Sequence, residues 1–405
     1  MSIQPPRGAS TPSFAFLLVA LLLCQALGTM ATSILPAVAP KVAETHGISA
    51  LSIGYQISLI AIAMLASLMF GANLAVRWGG CRVCQLGLVM TTAGCVIAVL
   101  PHPGFIFLSA FPLGCGYALL SPAASQLMMR FTPPQRRNLM FSLKQTGVPL
   151  GGVGAALFAP AIAIHFGWQW AMLVNGATMI VLAAWMERGR AHWDSDRNPR
   201  AKWITSPLGG LSTVWRNRTL RAMGIAGGAF VVVQVCLSTY TVLFFVEDGK
   251  IGLVQAGLVL MVSQIGGVAG RVFWGWIADI MHDCLATLTV LAGVMTLCAL
   301  ACYAITPAWP MAASYALFFV LGSTASGWNG AFLAEVARLS PRNEVSSATG
   351  GSLFLVNVGR LVGPVLFVAG HQATGSYASA FALLAVPSLL GLVLLLTVRG
   401  GGDKT

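Results

Sequence analysis

The chain has 405 residues, of which 57% are hydrophobic and only 8% are charged, and its formal net charge is +12. Soluble globular proteins carry roughly 25% charged residues, so this composition excludes a chain built only of water-soluble domains. It indicates a protein that crosses the lipid bilayer many times and has little mass outside it.

Apolar segments of about 20 residues, the length that crosses a bilayer as a helix, follow one another along the chain. The first begins after a short polar N-terminal tail (1–13) and is too long for the core of a cleaved signal peptide, so we expect it to be retained. Proline, glycine or charged residues separate the segments. The sequence predicts an all-α membrane protein with twelve transmembrane helices, at residues 14–38, 50–72, 83–100, 104–130, 139–164, 169–186, 220–245, 252–277, 285–305, 310–337, 347–371 and 376–398.

Basic residues accumulate on one side of these predicted spans. If the N-terminus is cytoplasmic, 19 of the 23 lysines and arginines lie in the cytoplasmic tails, loops and helix mouths. The outer loops hold only Lys41 and Lys250. The positive-inside rule then places both termini in the cytoplasm, and we expect a multi-pass protein of a bacterial-type inner (plasma) membrane. This distribution accounts for the net charge without a nucleic-acid partner.

The longest hydrophilic segment (187–219) divides the twelve spans into two groups of six. We predict an N-terminal six-helix bundle (14–186), a C-terminal six-helix bundle (220–398) and a short C-terminal tail (399–405). Short stretches resemble each other at equivalent places in the two halves, such as GANLAV after span two and WGWIAD after span eight, or GVPLGG in span five and GRLVGP in span eleven. Weak repeats of this kind are typical of transporters whose halves move around a central site.

One of these stretches resembles a signature of the major facilitator superfamily. The loop between spans two and three of that family reads approximately G-x-L-a-D-r-x-G-r-r, and GWIAD (Gly275 to Asp279) is similar to its C-terminal copy. The first copy keeps Leu74, Arg77 and Gly79 but has Val76 in place of the aspartate. The resemblance covers essentially the whole chain. It implies a secondary transporter with two pseudo-symmetric halves that works by alternating access.

Two arginines, Arg271 and Arg360, lie inside predicted spans, where a charge costs on the order of 3 kcal/mol or more. None of the eleven acidic residues lies in the middle of a predicted span. Two cations without a central acid predict a site for an anion. Arginine offers a planar fork that binds carboxylate or phosphate with two hydrogen bonds.

The two arginines also resemble residues of carboxylate-transporting branches of the superfamily. In monocarboxylate transporters and oxalate:formate antiporters, a substrate-contacting arginine precedes the signature after span eight, as Arg271 does here. The antiporters also have a basic residue in span eleven, where Arg360 stands. The lysine that monocarboxylate transporters carry in span one is absent. The resemblance implies a small organic anion, a mono- or dicarboxylate, moved by proton symport or by anion exchange, and we expect a monomer.

Other polar residues inside the spans are candidate contacts of the substrate. Several of them share a helix face with one another or with one of the two arginines. For each of them, a hydrogen bond between neighbouring helices is the alternative. They are Gln25, Gln145, Gln234, Tyr240, Gln264 and Asn357.

A separate group of charges lies at the inner ends of spans eight and ten. Glu335 and Arg338 are three residues apart and therefore share a helix face, and Asp279 begins the adjacent inner loop. The family uses such clusters to close the cytoplasmic side, so we predict that this trio gates the transporter. Arg77 and Arg130 occupy the corresponding region of the N-terminal half and are predicted to take part.

Alternatives remain open at this stage. Arg271 is also placed to bond the carbonyls of a broken helix or to pair with Asp279 or Glu335, and the protein would then be an exporter of neutral or amphipathic compounds. A transporter-like receptor lacks support, because no sizeable signalling segment is present. No nucleophile and base stand at a catalytic spacing, and the lone Cys81–Cys84 pair does not make a metal site. We therefore predict no catalytic residue, metal or cofactor.

Overall fold

The computed structural model describes residues 14–133, 137–200, 208–340 and 345–402, and in these ranges all regular structure is helical. Twelve long helices, two of them interrupted, follow one another and are numbered here in chain order. They are α1 (Phe14–Ala37), α2 (Ile53–Trp78), α3 (Gly80–Ala98), α4 (Gly104–Phe131), α5 (Arg137–Gln145 and Gly147–His165), α6 (Trp168–Trp193), α7 (Arg218–Glu247), α8 (Leu253–Met281), α9 (Cys284–Ala301), α10 (Met311–Leu339), α11 (Val345–Thr374) and α12 (Tyr377–Leu383 and Ala385–Gly402). Short helices at Ala39–His46 and Leu208–Arg216 lie between them. The prediction of twelve helices is confirmed.

Eleven of the twelve are long and apolar enough to cross a membrane by length and composition alone. The remaining helix, α10, has 29 residues, which at 1.5 Å per residue is also long enough to cross a bilayer. Its mean hydropathy is lowered by polar residues such as Ser326, Asn329 and Glu335. Packing against other helices explains how α10 accommodates them, because Ser326 and Glu335 are buried inside the protein.

Several helices extend beyond the predicted spans. Helix α6 continues to Trp193, past the predicted boundary at residue 186, and the last helix runs into the predicted C-terminal tail, as far as Gly402. The segment predicted as a central loop also contains the helix Leu208–Arg216. These helix ends are polar, so hydropathy alone does not reveal them. Because the number of spans is even, α1 begins and α12 ends at the same end of the bundle, where α6 also ends and α7 begins. This end is here named the basic face, and the other end is the opposite face.

Asp194, directly after α6, fixes the start of α3 at the basic face. Its carboxylate accepts hydrogen bonds from the backbone N–H groups of Cys81 (2.8 Å) and Arg82 (3.0 Å), which is the usual way to satisfy free donors at a helix N-terminus. Burial raises the pKa of the Asp194 carboxyl above its ordinary value, and the two amide hydrogen bonds act in the opposite direction. The turn between α2 and α3 passes through Gly79 with φ 97°, a conformation that favours glycine.

The two halves pack tightly against each other near the opposite face. Gly54, in the first turn of α2, has no room for a side chain, because a Cβ there would lie 1.7 Å from the Tyr240 hydroxyl and 3.4 Å from Pro364. One turn further along α2, the Ser58 hydroxyl donates a hydrogen bond of 2.8 Å to the carbonyl of Leu361. Helix α2 of the first half is therefore held against α7 and α11 of the second.

Helices α5 and α8 form the second close contact between the halves. A Cβ at Gly257, near the start of α8, would lie 2.7 Å from the carbonyl oxygen of Ala156. Toward the middle of the membrane, a Cβ at Gly152 of α5 would lie 2.7 Å from the amide carbon of Gln264. Together with the contacts of α2, this packing closes the bundle at the opposite face and leaves a polar cavity below it.

Candidate functional site

A polar cavity lies between the halves, near the middle of the bundle. It encloses about 870 Å³ of atom-free space, including the part that is open to solvent. Helices of both halves contribute hydroxyl and amide groups, and α11 contributes one guanidinium. The polar residues that line the cavity are Thr29, Thr32, Ser33, Tyr117, Gln234, Ser238, Thr239, Ser263, Gln264, Ser326 and Arg360.

Arg360 is the charged residue of this lining, among the residues that the structure describes. It lies at the middle of the 30-residue helix α11. Its guanidinium makes no hydrogen bond or ion pair with another described residue, and no described carboxylate lines the cavity. An uncompensated cation at this depth is costly, so the cavity is electropositive and suits an anion that brings the missing negative charge.

Arg271 bridges the two halves. Its Nη1 donates a hydrogen bond of 3.0 Å to the backbone carbonyl of Gln145 in α5. Pro149 stands four residues further along α5 and has no N–H group, so that carbonyl lacks its usual helical donor. Arg271 supplies the missing donor from the other half of the protein.

The rest of the Arg271 side chain points to a second role. Its Nε is buried and has no hydrogen-bond partner within the described part of the chain. Arg271 does not line the cavity, but it lies close enough to Arg360 for the two positive charges to repel each other. The structure thus gives Arg271 the carbonyl contact expected of a broken helix and leaves a donor available near Arg360.

Tyr117 of α4 is a cavity residue that the sequence analysis missed. The side-chain amide of Gln25 donates a hydrogen bond of 3.1 Å to the Tyr117 hydroxyl. The Thr29 hydroxyl lies 3.1 Å from the Tyr117 hydroxyl and donates a hydrogen bond of 2.9 Å to the main-chain carbonyl of Gln25. Because Thr29 has one proton and gives it to that carbonyl, Tyr117 is the donor to Thr29. The three groups form a closed ring of hydrogen bonds that fixes the phenol at the cavity wall. In the sequence, the one feature that points to Tyr117 is a single phenol in an otherwise apolar span.

The other predicted substrate contacts divide into two groups. Gln234 and Gln264 line the cavity, and the Gln234 amide also reaches the Ser326 hydroxyl at 3.4 Å. Gln25 is buried behind Tyr117. Asn357 donates to the carbonyl of Leu353 in its own helix, 2.9 Å away.

The side chains of Tyr240 and Gln145 do not line the cavity. Tyr240 is fully buried, stacks on Phe367 with the ring centroids 4.0 Å apart, and donates its hydroxyl to the carbonyl of Pro364. Gln145 has an exposed side chain, and its main-chain carbonyl makes the contact with Arg271. The Tyr240 hydroxyl and the Gln145 carbonyl therefore both serve contacts between helices.

Of the three charges predicted to gate the C-terminal half, the structure brings only two into contact. Arg338 binds the buried Glu335 through two hydrogen bonds, the longer of which is 2.9 Å from Nε to Oε2. Asp279 is exposed and makes no hydrogen bond or ion pair with a described residue. Among the residues that the structure describes, the trio is therefore reduced to a pair within α10, and this pair makes no contact with the N-terminal half.

Of the two corresponding charges of the N-terminal half, Arg130 binds within that half. Arg130 at the end of α4 donates to the carboxylate of Asp196, to the Ser195 hydroxyl and, over 2.9 Å, to the carbonyl of Trp193. Arg77 lies in the last turn of α2. Arg130 thereby ties α4 to the chain that follows α6 at the basic face. The described residues contain no group of His, Cys, Asp or Glu that could hold a metal ion.

Comparison with known proteins agrees with this architecture. The model of the Major Facilitator Superfamily matches residues 21–364, most of the chain. The chain belongs to the Major Facilitator Superfamily. Twelve helices in two halves around a polar cavity are the architecture of a membrane transporter, and the protein is accordingly a multi-pass transporter and not an enzyme.

Individual members of the superfamily resemble the chain over most of its length. Monocarboxylate transporter 11 of Mus musculus is 27% identical over 361 residues, 84% of this chain and 77% of its own. The hexuronate transporter of Bacillus subtilis is 21% identical over 375 residues, 87% of this chain and 86% of its own. Among solved structures, a peptide transporter POT in complex with sulfate superposes with a TM-score of 0.77 at 15% identity, with 96% of each chain covered.

Proposed function

We propose that the protein is a secondary transporter that moves a small organic anion, a mono- or dicarboxylate, across the inner membrane by alternating access. Both termini are cytoplasmic in this proposal, and the basic face is the cytoplasmic one. The observation that carries it is Arg360, a cation at the middle of the membrane that lines the cavity without a described partner.

The electrostatics of the cavity support an anionic substrate. A carboxylate bound to Arg360 would receive charge-assisted hydrogen bonds and would offset the charge that the cavity leaves uncompensated. It would also screen Arg360 from Arg271. The hydroxyl and amide groups of the lining, including the fixed phenol of Tyr117, are suited to bind the remaining polar groups of such a substrate.

The relatives support the same class of substrate. One is a monocarboxylate transporter and another a hexuronate transporter, and both kinds of substrate carry a carboxylate. Since the described lining has no carboxylate that would carry a proton, we favour anion exchange, or symport in which the substrate itself is protonated. With the opposite face closed by the contacts of α2 and α5, access to the cavity is from the cytoplasm in this proposal.

A second candidate function is the export of neutral or amphipathic compounds. The observation that favours it is the hydrogen bond from Arg271 to the carbonyl of Gln145, because a structural task for Arg271 does not require an anionic substrate. Under this alternative Arg360 would be needed for folding and not for substrate affinity.

Uptake into proteoliposomes separates the two. The panel contains radiolabelled monocarboxylates, dicarboxylates and a sugar acid, with the neutral amide of one substrate as the uncharged match. We expect saturable uptake of at least one anion and none of the amide. Arg360→Gln should raise KM about 10- to 100-fold, since hydrogen bonds to a charged group contribute about 1.5–3 kcal/mol.

Arg188→Gln is the control, because Arg188 is an exposed arginine on the basic face, outside the cavity. Uptake without any anion preference, or normal KM in Arg360→Gln, would contradict the proposal. An imposed pH gradient that drives uptake indicates symport, whereas uptake that depends on an anion loaded inside the vesicles indicates exchange.

A further inference from the structure

A second cavity lies at the basic face of the C-terminal half, well separated in the fold from the central one. The ends of four helices surround it, namely the start of α7, the turn between α8 and α9, the end of α10 and the end of α12. Measured like the central cavity, it encloses about 1720 Å³ of atom-free space, including the part that is open to solvent. We propose that this cavity binds an anionic phosphate group, carried either by the headgroup of an anionic lipid or by a soluble phosphate compound.

The charges around the cavity favour an anion. Arg218, Arg338 and Arg399 line it, together with the carboxylates of Asp283 and Glu335. Both carboxylates are already engaged, since Glu335 binds Arg338 and Asp283 lies 3.4 Å from Arg399. Arg218 has neither an ion pair nor a hydrogen bond with any described residue. One whole guanidinium is thus available, and Arg338 and Arg399 are exposed enough to turn further donors into the cavity.

A helix N-terminus adds to this positive potential. Helix α9 begins at the cavity wall, where Cys284 and Leu285 are lining residues. Asp283 precedes the helix and accepts a hydrogen bond from the Ala286 N–H at 2.9 Å. Asp283 thus takes the N–H group of Ala286, those of Cys284 and Leu285 remain at the cavity wall, and the helix dipole places about half a positive charge there. Phosphate binds readily where such donors converge with arginine.

His282 contributes from the turn between α8 and α9. It ends α8 in the left-handed conformation, with φ 49°, where glycine is the common residue. The turn directs the backbone from α8 into α9 within two residues, His282 and Asp283, and His282 is exposed and lines the cavity. An imidazole at this position supplies one more donor to a phosphate.

The place of the cavity decides the two sources of phosphate to be tested. It lies where four membrane helices end, which is the level of lipid headgroups, and basic pockets between helix ends on the cytoplasmic side are known to hold anionic lipids. The cavity also opens to solvent at the basic face, so a soluble phosphate compound has access. The inference does not depend on the proposed transport of carboxylates, because Arg360 takes no part in it.

Thermal unfolding of the purified full-length chain in detergent tests the inference. In one arm phosphatidylglycerol is titrated, with phosphatidylcholine as the zwitterionic match; in the other, inorganic phosphate is titrated against chloride at equal ionic strength. We expect phosphatidylglycerol, inorganic phosphate or both to raise Tm. Arg218→Gln should lower the apparent affinity about fivefold, and Arg218→Gln with Arg399→Gln about 30-fold, at about 1 kcal/mol for each arginine.

Two matched variants make the test specific. Arg188→Gln removes the same charge from the basic face of the other half, and Arg360→Gln removes the cation of the central cavity; both should keep the full affinity. Stabilisation in the lipid arm alone identifies a headgroup, and stabilisation by inorganic phosphate identifies a soluble compound. The inference is overturned if neither arm raises Tm, if the double variant binds like the parent, or if Arg188→Gln weakens binding equally.

Discussion

Gly54 provides a direct test of whether the closed opposite face depends on contact between the halves. In Gly54→Ala the new methyl group would lie 1.7 Å from the Tyr240 hydroxyl oxygen and 2.8 Å from the ring carbon that bears it. Tyr240 has little freedom to yield, because it is fully buried, stacks on Phe367 and donates a 3.0 Å hydrogen bond to the carbonyl of Pro364. Relief therefore requires that α2 withdraw from α7 and α11.

The size of the effect follows from these contacts. Overpacking of a tight site costs about 1–3 kcal/mol, and displacement of the Tyr240 hydroxyl from Pro364 adds about 1 kcal/mol for the lost hydrogen bond. The sum, about 2–4 kcal/mol, applies only to the arrangement in which the opposite face is closed. Since 1.4 kcal/mol is a factor of ten, the population open at the opposite face should rise about 30-fold or more.

Cysteine labelling measures that population. Ser33 lines the cavity near the end of α1 that lies toward the opposite face. With Ser33→Cys in place, the rate of reaction with a membrane-impermeant maleimide is compared between intact cells and inside-out vesicles. The chain without Ser33→Cys gives the background from its nine native cysteines, seven of which are buried. We expect Gly54→Ala to increase the labelling from the opposite face relative to that from the basic face.

Two further variants decide whether the proposed contact is the cause. Gly252→Ala is the matched control, because nothing lies within 4 Å of a Cβ at that glycine and its φ is ordinary; it should label like the parent. Tyr240→Phe in the Gly54→Ala background removes the atom in closest conflict and should restore part of the original ratio, because the ring carbon at 2.8 Å remains and the hydrogen bond to Pro364 is lost. Equal labelling in Gly54→Ala and Gly252→Ala would refute the reasoning.

Two other predictions concern hydrogen bonds within the N-terminal half. Tyr117→Phe should lower the free energy of unfolding by about 1–3 kcal/mol, because the amide of Gln25 loses its acceptor inside the protein; chemical denaturation measures this, and an unchanged midpoint would contradict the hydrogen-bonded ring. Burial raises the pKa of Asp194 in the folded state, so the native state binds the proton more tightly than the unfolded state does. The stability that this proton contributes is fully present below the unfolded-state pKa, and it is lost as the pH rises through the folded-state pKa. Asp194→Asn should abolish that part of the pH dependence of Tm, whereas the exposed Asp279→Asn should keep it.

The positions of the helices could be predicted from the sequence, because each crossing of the membrane needs a run of apolar residues of nearly fixed length. Helix α10 was found in the same way, although its polar residues lower its hydropathy, since the apolar residues still outnumber them. The ends of α6 and α12 could not be predicted from the sequence. Beyond the membrane the helices continue through polar residues, whose helical state depends on contacts such as that of Arg130 with the carbonyl of Trp193.

Less of the candidate site could be predicted from the sequence. The cost of a buried charge draws attention to Arg360 wherever the helix faces, and the structure places it at the cavity. Tyr240 and Tyr117 show the limit of such reasoning, because each is a tyrosine in an apolar span. Helical periodicity gives the face of a residue but does not say whether that face meets a cavity or a neighbouring helix, and only the packing assigned Tyr117 to the first and Tyr240 to the second.

The bond between Arg271 and the carbonyl of Gln145 has a consequence for how the sequence can vary. The acceptor is a main-chain atom, so position 145 is free to change its side chain without losing the link. Position 149 is not free, because any residue other than proline brings an N–H group that competes for the same carbonyl. Among related transporters, proline at position 149 and arginine at position 271 should therefore occur together and disappear together, although they belong to different halves of the protein.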